Sequence, residues 1–97
     1  MKYDIFVKDI KIGNLEINEE TGLYKYTVDK DNTDKLKDII AIPVEMTKNT
    51  KWIKPIPFFK NKIDNAKRFG REDNIGSFTD PFRLVKVKWR LKEQIWQ

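Results

Sequence analysis

One stretch near the middle of the chain constrains the fold more than any other, because it carries both the start and the stop signals of a helix. Pro55 and Pro57 lead into a pair of phenylalanines, and Gly70 follows the last apolar residue. Proline at a first helical position and glycine just past the end are typical of a short helix. The sequence therefore predicts a helix over 57–69. Helical periodicity gives it a core-facing side formed by Phe59, Ile63 and Ala66.

The two adjacent phenylalanines of this helix are expected to have different surroundings. Neighbouring helical residues point about 100° apart, so Phe59 can anchor the core while Phe58 lies at the rim. A rim phenylalanine next to Trp52 would form an aromatic patch suited to a protein partner. Lys60 and Lys62, on the same helix, are candidate partner-binding cations.

The first third of the chain has the alternation of a β-meander. Strands are predicted over 3–7, 10–17 and 23–28, joined by polar turns. Gly13 and Asn14 interrupt the second strand, which indicates a bulge or a sharp bend there.

Three further elements complete the predicted fold. Apolar spacing indicates a short helix near 33–40, and an extended segment over 41–46 follows it. The last strand, over 82–92, has one apolar and one basic face. These faces are formed by Val85, Val87, Trp89 and Leu91 and by Lys86, Lys88, Arg90 and Lys92.

We therefore expect one α+β domain over 1–97. Its antiparallel sheet would have about five strands, with the 57–69 helix packed on one face. The largest apolar strand face should cover the helix, so Phe59 and Ile63 are expected to contact Val85, Val87 and Trp89. The four cations of the last strand should then be exposed to solvent.

The basic face of the last strand has two interpretations. Side chains on one strand face repeat about every 7 Å, a spacing similar to that of phosphates along a nucleic-acid strand. The alternative, which we favour, is that lysines on an exposed strand only prevent edge-to-edge aggregation. Tyr24 and Tyr26 are expected to pack within the sheet rather than stack on bases, because the RNA-recognition consensus is absent.

The residue types that are missing argue against most catalytic and metal sites. The chain has no histidine and no cysteine, which removes imidazole acid–base chemistry, thiol nucleophiles and Cys/His zinc sites. Its four glycines form no phosphate-binding motif. Asp34 and Asp38 are interpreted as solvated charge. We expect no enzyme, no cofactor and no metal; a small enzyme built on lysines and carboxylates is the least favoured hypothesis.

Hydropathy and charge limit the location and the partner. No run approaches the roughly 18 apolar residues that span a bilayer, and the first residues lack a signal-peptide core, so we expect a cytoplasmic protein without a membrane partner. Residues 1–46 carry seven Lys/Arg against ten Asp/Glu, and residues 47–97 carry thirteen against five. This asymmetry has two interpretations: an electropositive face that meets nucleic acid or an acidic protein, or a solvated, lysine-rich surface that only keeps the protein soluble.

Residues 5–63 also carry a series of short motifs. A V-G-x-L type element is matched by 12–15, a G/F-x-Y/F hairpin strand by 23–26, and an I-S-L-P-L type strand by 40–44. The most specific element is P-F-F-x-N at the start of a helix, matched by 57–61. In their order and approximate spacing these motifs resemble the amino-terminal domain of HipA-type serine/threonine kinase toxins.

The resemblance implies a function, with two departures from the family pattern. The leucine-proline-glutamate that follows the asparagine in the family is replaced by Lys62-Ile63-Asp64, and nothing after about residue 70 has a counterpart. The nucleotide loop and the catalytic Asp/Asn motif of the kinase are absent. The chain would then be a free-standing, non-catalytic relative, like the small proteins that bind and restrain a separate kinase in three-part toxin–antitoxin systems.

Two hypotheses follow. The first is a protein-binding module, a regulator in a toxin–antitoxin or mobile-element system. The alternative is a nucleic-acid-binding protein that acts through the basic face of the last strand. The candidate partner-binding residues are Trp52, Phe58, Lys60, Lys62, Lys86, Lys88, Arg90 and Lys92.

Overall fold

Five antiparallel strands and two α-helices form the part of the chain that the computed structural model describes, which is residues 1–47, 51–77 and 79–87. The strands are β1 (Lys2–Val7), β2 (Ile10–Ile17), β3 (Tyr24–Val28), β4 (Asn74–Ile75) and β5 (Arg83–Lys86). The helices are α1 (Lys30–Leu36) and α2 (Pro57–Arg68), with a 3-10 turn over Val44–Thr47. The predicted α+β class, with about five strands and a main helix near 57–69, is confirmed.

The strands form one sheet in the order β3-β2-β1-β5-β4, and every neighbouring pair is antiparallel. The first three strands pair in chain order, as expected of a meander. The chain then crosses the core face through α1 and α2 before it returns to add β4 and β5 beside β1. The later hairpin therefore completes the sheet at the side opposite β3.

The bulge predicted at Gly13 is present and sets the facing of β2. Ile5 pairs with Gly13, but the next residue of β1, Phe6, pairs with Lys11, so β2 holds one extra residue. Ile12 and Leu15 are three residues apart, so in a regular strand they would face opposite sides of the sheet. The extra residue of the bulge allows both to face the core. Gly13 also lies against the backbone of β3, where a Cβ atom would be 2.1 Å from the carbonyl oxygen of Thr27.

One face of the sheet carries the hydrophobic core, and α2 packs on it. Phe59 and Ile63 are fully buried, as predicted, and Ala66 is partly buried against the core. The Phe59 ring centroid is 5.7 Å from that of Tyr26 and 5.3 Å from that of Phe82. The strand residues of this core are Tyr3, Ile5, Val7, Ile12, Leu15, Tyr24, Tyr26, Val28, Ile75 and Leu84. No helix of the described chain is long and apolar enough to cross a bilayer.

The first helix begins earlier than predicted because Asp29 caps it. The Asp29 carboxylate accepts hydrogen bonds from the backbone N–H groups of Asp31 and Asn32, at 2.9 and 3.2 Å. The helix ends at Leu36, so the predicted continuation to residue 40 is wrong. Ile39 consequently lies outside the helix and is exposed.

Two predictions about extended structure are also wrong. Residues 41–46 do not form a strand: after an irregular segment, Val44–Thr47 forms the 3-10 turn, with Met46 buried beneath it. The residues that add a strand instead are Asn74–Ile75, for which the sequence predicted no strand. They pair with β5 over only two residues, too short a strand for alternation to reveal.

The last strand faces opposite to the prediction. Leu84 pairs with Ile5 of β1 and is buried, whereas Val85 pairs with Asp4 and lies half-buried on the other face of the sheet. Phe82, just before β5, is also buried. Segment 82–87 has apolar residues on both faces of the strand, Phe82 and Leu84 on one and Val85 and Val87 on the other. Pairing with β1 turns the face with the larger residues, Phe82 and Leu84, toward the core.

The reversed facing also changes several contacts that were predicted for this strand. Val85 and Val87 do not cover Phe59; Phe82 does. Lys86, expected in solvent, shares the facing of Leu84 and is partly buried, with its ammonium 3.8 Å from the Glu72 carboxylate. The remaining predictions for this strand, on Lys88, Trp89, Arg90, Leu91 and Lys92, lie outside the described residues.

Candidate functional site

A stripe of side chains along one flank of α2 combines exposed aromatic and polar groups. Phe58, Lys62, Asn65 and Phe69 follow one another at helical spacings of four, three and four residues, which places them on one side of the helix. We call this set the α2 stripe. Phe58 is 39% exposed and Phe69, at the end of the helix, is 67% exposed. At 1.5 Å per residue the two rings are about 16 Å apart along the helix axis.

The inner end of the α2 stripe is held in place by the core. The Phe58 ring makes edge contacts with Phe59 and Phe82, with centroids 5.3 and 6.0 Å apart. Lys62 lies over the outer side of Phe58, with Nζ 5.2 Å from the ring centroid. The same ammonium is 3.9 Å from the carboxylate of Asp80, in the turn before β5. Phe58 is therefore a fixed, partly exposed ring rather than a mobile surface side chain.

The chain segment that contains the α2 stripe is strongly basic. Residues 51–71 carry seven Lys/Arg and a single acidic residue, Asp64. Asp64 pairs with Lys60 at 2.7 Å, four residues earlier on the helix. Within the described part of the chain, Lys62 is the only other cation of this segment in an ion pair. The other cations of this segment, which make no ion pair with a residue that the structure describes, are Lys51, Lys54, Lys67, Arg68 and Arg71, and all are exposed.

Trp52 does not join Phe58 in one aromatic patch, contrary to the prediction. Ile53 pairs with Tyr24 through two backbone hydrogen bonds of 2.8 Å, which place Trp52 at the outer edge of β3. There the ring is 41% exposed, and the Lys25 ammonium lies 5.7 Å from its centroid. No ring contact joins Trp52 to Phe58 among the described residues, so Trp52 belongs to a different part of the surface.

The predicted basic residues are likewise divided between surfaces. Lys60 points to the flank of α2 opposite the stripe, where it pairs with Asp64, whereas Lys62 belongs to the stripe itself. Lys86 is paired with Glu72 beside β4. Lys88, Arg90 and Lys92 lie outside the described residues, so the basic ladder of the last strand is represented by Lys86 alone.

A groove of about 310 Å³ between α2 and the β2–β3 hairpin contains the groups nearest to a proton-transfer set. Lys60 and Asp64 line it, but both are about half exposed and paired with each other. Burial, with a smaller effect of the Asp64 carboxylate, raises the pKa of the adjacent Tyr24 hydroxyl to about 12. A proton donor for catalysis works best with a pKa near the ambient pH, so this groove is poorly suited to acid–base chemistry. No cluster of three or more acidic side chains in the described chain could hold a metal ion.

Sequence reasoning identified two members of the α2 stripe as binding residues and missed two. Phe58 and Lys62 were predicted from exposure and charge, whereas Phe69 was not predicted to bind. Asn65 was not considered. The signal that could have found them is the repeat 58, 62, 65, 69, which runs parallel to the buried repeat 59, 63, 66.

A second feature was hidden from the sequence. Ile39 was assigned to a helix face, yet it is 69% exposed beside a groove that also contacts Pro81. Only the tertiary fold brings these two distant residues together.

Compared with known proteins, the chain matches no family model, no curated protein and no solved structure.

Proposed function

We propose that this chain is a non-catalytic protein-binding module, and that the α2 stripe with its surrounding cations is the surface that contacts the partner. The observation that carries the proposal is the exposure of Phe58 and Phe69 on one flank of a helix whose adjacent face, with Phe59 and Ile63, is fixed in the core. Aromatic side chains, phenylalanine among them, are enriched in protein–protein interfaces.

The spacing of the α2 stripe favours one mode of recognition. Helices that dock in a partner's groove present anchors at intervals of three, four and seven residues. Phe58, Lys62, Asn65 and Phe69 have these intervals. Because α2 already packs on the sheet, the anchors are preorganised, and less conformational entropy is lost on binding than for a free peptide.

The charge of the segment defines the partner further. Seven cations against one carboxylate over 51–71 favour a partner with an acidic surface. Such charges raise the association rate and make binding depend on salt. Arg68 and Arg71 are exposed and lie within two residues of Phe69 in the chain, so acidic groups should lie beside the pocket that receives that ring.

The resemblance of residues 5–63 to the amino-terminal domain of HipA-type toxin kinases supplies the first partner to test, a separate kinase of this type. In that case the chain would act as a regulator within a toxin–antitoxin system. The P-F-F-x-N element at 57–61 carries the resemblance most specifically, and it contains Phe58 of the α2 stripe.

Co-expression of the whole native operon tests the proposal. We expect a tagged chain to retain a protein encoded beside it, and the purified pair to bind less tightly as salt is raised. The double variant Phe58→Ser/Phe69→Ser should weaken that affinity at least about tenfold, equivalent to about 1.4 kcal/mol. Ile10→Ser is the matched control, because Ile10 is also a partly exposed apolar residue but lies at the start of β2.

Three outcomes would contradict the proposal. One is a native operon that yields no retained protein partner. Another is a retained partner whose affinity is equally sensitive to the Ile10 variant and to the double variant. The last is tight, salt-dependent binding of an oligonucleotide with no protein bound, which would favour the nucleic-acid alternative.

A further inference from the structure

A narrow groove lies between the segment after α1 and the turn before β5. Ile39 and Ile40 form one wall, Thr79, Asp80 and Pro81 form the other, and Val7 lies at its floor. Its volume is about 220 Å³. We call it the Ile39 groove.

Both walls of the Ile39 groove are formed by hydrogen-bonded turns. The backbone N–H groups of Ile39 and Ile40 both donate to the carbonyl oxygen of Leu36, at 2.9 Å. On the other side, Asp80 N–H donates to Ser77 O at 3.0 Å, and Ser77 N–H donates to the Asp80 carboxylate at 2.7 Å. The groove is therefore already formed in the free chain.

The size of the Ile39 groove limits what can occupy it. Small-molecule and cofactor sites usually enclose about 300–1,000 Å³ and surround most of the ligand. At about 220 Å³, this groove falls below that range and suits a single side chain. Val7, Ile39, Ile40 and Pro81 give it a mainly apolar lining beside the polar residues Lys8, Thr79 and Asp80. The 69% exposure of Ile39 leaves a large aliphatic surface to be covered.

Asp80 connects the Ile39 groove to the α2 stripe. Asp80 lines the groove, and its carboxylate is 3.9 Å from Lys62 Nζ, which in turn lies over the ring of Phe58. The groove and the stripe are thus adjacent parts of one surface. A partner segment that contacts Lys62 would lie next to Asp80, at the edge of the groove.

We propose that the Ile39 groove receives one aliphatic side chain of the partner, and that an acidic residue beside it binds Lys62. The recognised segment would be a short acidic stretch interrupted by an apolar residue. This inference rests on the proposed function and specifies the partner of the same surface. Lys62 can exchange its long contact with Asp80 for a closer carboxylate, while Asp80 keeps its hydrogen bond from Ser77.

Nuclear magnetic resonance titration of the isotopically labelled chain with designed peptides tests the inference. The probe is a short peptide of glutamate and serine with one central leucine. Two comparison peptides carry serine in place of leucine, or lysine in place of glutamate. We expect the probe to shift the amide signals of Ile39, Ile40, Thr79 and Asp80 together with those of the α2 stripe. The serine peptide should bind roughly tenfold more weakly, since it cannot fill the groove.

Matched variants of the chain locate the effect. Ile39→Asp should weaken binding of the probe roughly tenfold. Val44→Asp should leave it unchanged, because Val44 is similarly exposed (65%) and lies in the same connecting segment but does not line the groove. Both substitutions are at exposed sites, so both variants should fold.

The outcomes separate this inference from the proposed function. Equal binding of the leucine and serine peptides, with shifts confined to α2, would overturn the groove and leave the α2 stripe as the binding surface. Equal effects of the Ile39 and Val44 variants would overturn it as well. Stronger binding of the lysine peptide, or no shifts with any peptide at millimolar concentration, would contradict both the groove and the acidic partner.

Discussion

Gly13 is the single residue on which the packing of β2 against β3 most depends. A Cβ at this position would lie 2.1 Å from Thr27 O and 2.7 Å from Val28 Cα, and both are backbone atoms that cannot rotate away. We expect Gly13→Ala to lower the free energy of unfolding by about 3 kcal/mol or more. Urea unfolding monitored by circular dichroism would measure this loss.

Gly22 provides the comparison for this prediction. Its φ of 75° lies in the left-handed region that favours glycine, but a Cβ there meets nothing within 4 Å. Gly22→Ala should therefore cost only the backbone strain, about 1–2 kcal/mol. If Gly13→Ala were no more harmful than Gly22→Ala, the two strands would have room to separate at the bulge.

The adjacent phenylalanines of α2 allow a second prediction for single residues. Phe59 is fully buried between Tyr26 and Phe82, so Phe59→Ala should cost about 3–5 kcal/mol, a large share of the stability of a small domain. Phe58 is 39% exposed and makes edge contacts, so Phe58→Ala should cost about 1 kcal/mol. Thermal or urea unfolding of both variants measures the two losses of stability. Equal losses would show that the two rings share the core.

Among the elements, β5 is the one whose facing the sequence left ambiguous. Pairing with β1 buries Leu84 and turns Val85 to the other face. We expect Leu84→Ala to lower the free energy of unfolding by about 2–5 kcal/mol. Val85→Ala should lower it by about 1 kcal/mol, because Val85 is only half-buried. The reverse order of the two losses would restore the predicted facing, with Val85 in the core.

The elements that were predictable from the sequence have strong local signals. Strands β1 to β3 follow alternation, the bulge follows from Gly13, and α2 begins at a proline and ends before a glycine. The strand predicted over 41–46 rested on apolar composition and on the motif match at 40–44, and Val44 proves to be 65% exposed. Apolar residues there do not mark a strand, because the adjacent edge of β3 is paired with Ile53 instead.

The candidate site was predictable only in part, because tertiary packing rather than a local pattern brings some of its residues together. Helical periodicity locates Phe58 and Lys62, and it would also have located Phe69, since all three depend on contacts within one helix. The Ile39 groove depends on the packing of residue 39 beside residue 81, which no local pattern encodes. The separation of Trp52 from Phe58 likewise depends on the pairing of Ile53 with Tyr24.

At the scale of the whole molecule, three tyrosines of the core couple stability to alkaline pH. Burial, with smaller effects of nearby charges, raises the pKa of Tyr3 and of Tyr24 to about 12, and burial also raises the pKa of Tyr26. In the unfolded chain these hydroxyls titrate near pH 10. Between pH 10 and 12 the unfolded state therefore binds fewer protons than the folded state.

The sign of the effect follows from this difference. The free energy of unfolding falls as pH rises wherever the unfolded state binds fewer protons, so the contribution of the tyrosines is complete below pH 10 and is lost on approach to pH 12. For each of these tyrosines, the free energy of unfolding falls by up to about 1.4 kcal/mol per pH unit over this range. We expect tyrosinate absorbance to appear together with the loss of the circular dichroism signal, as one transition.

A variant is needed to assign the effect to the tyrosines. Tyr3→Phe is suitable because the Tyr3 hydroxyl is buried and makes no hydrogen bond within the described residues. The variant should be at least as stable as the parent at neutral pH, since no partner is left unpaired. Its stability should then fall less steeply above pH 10, because one of the three coupled protons is absent. Tyrosinate formation near pH 10 in a chain that remains folded would show instead that water reaches these hydroxyls and that the core on which α2 rests is open.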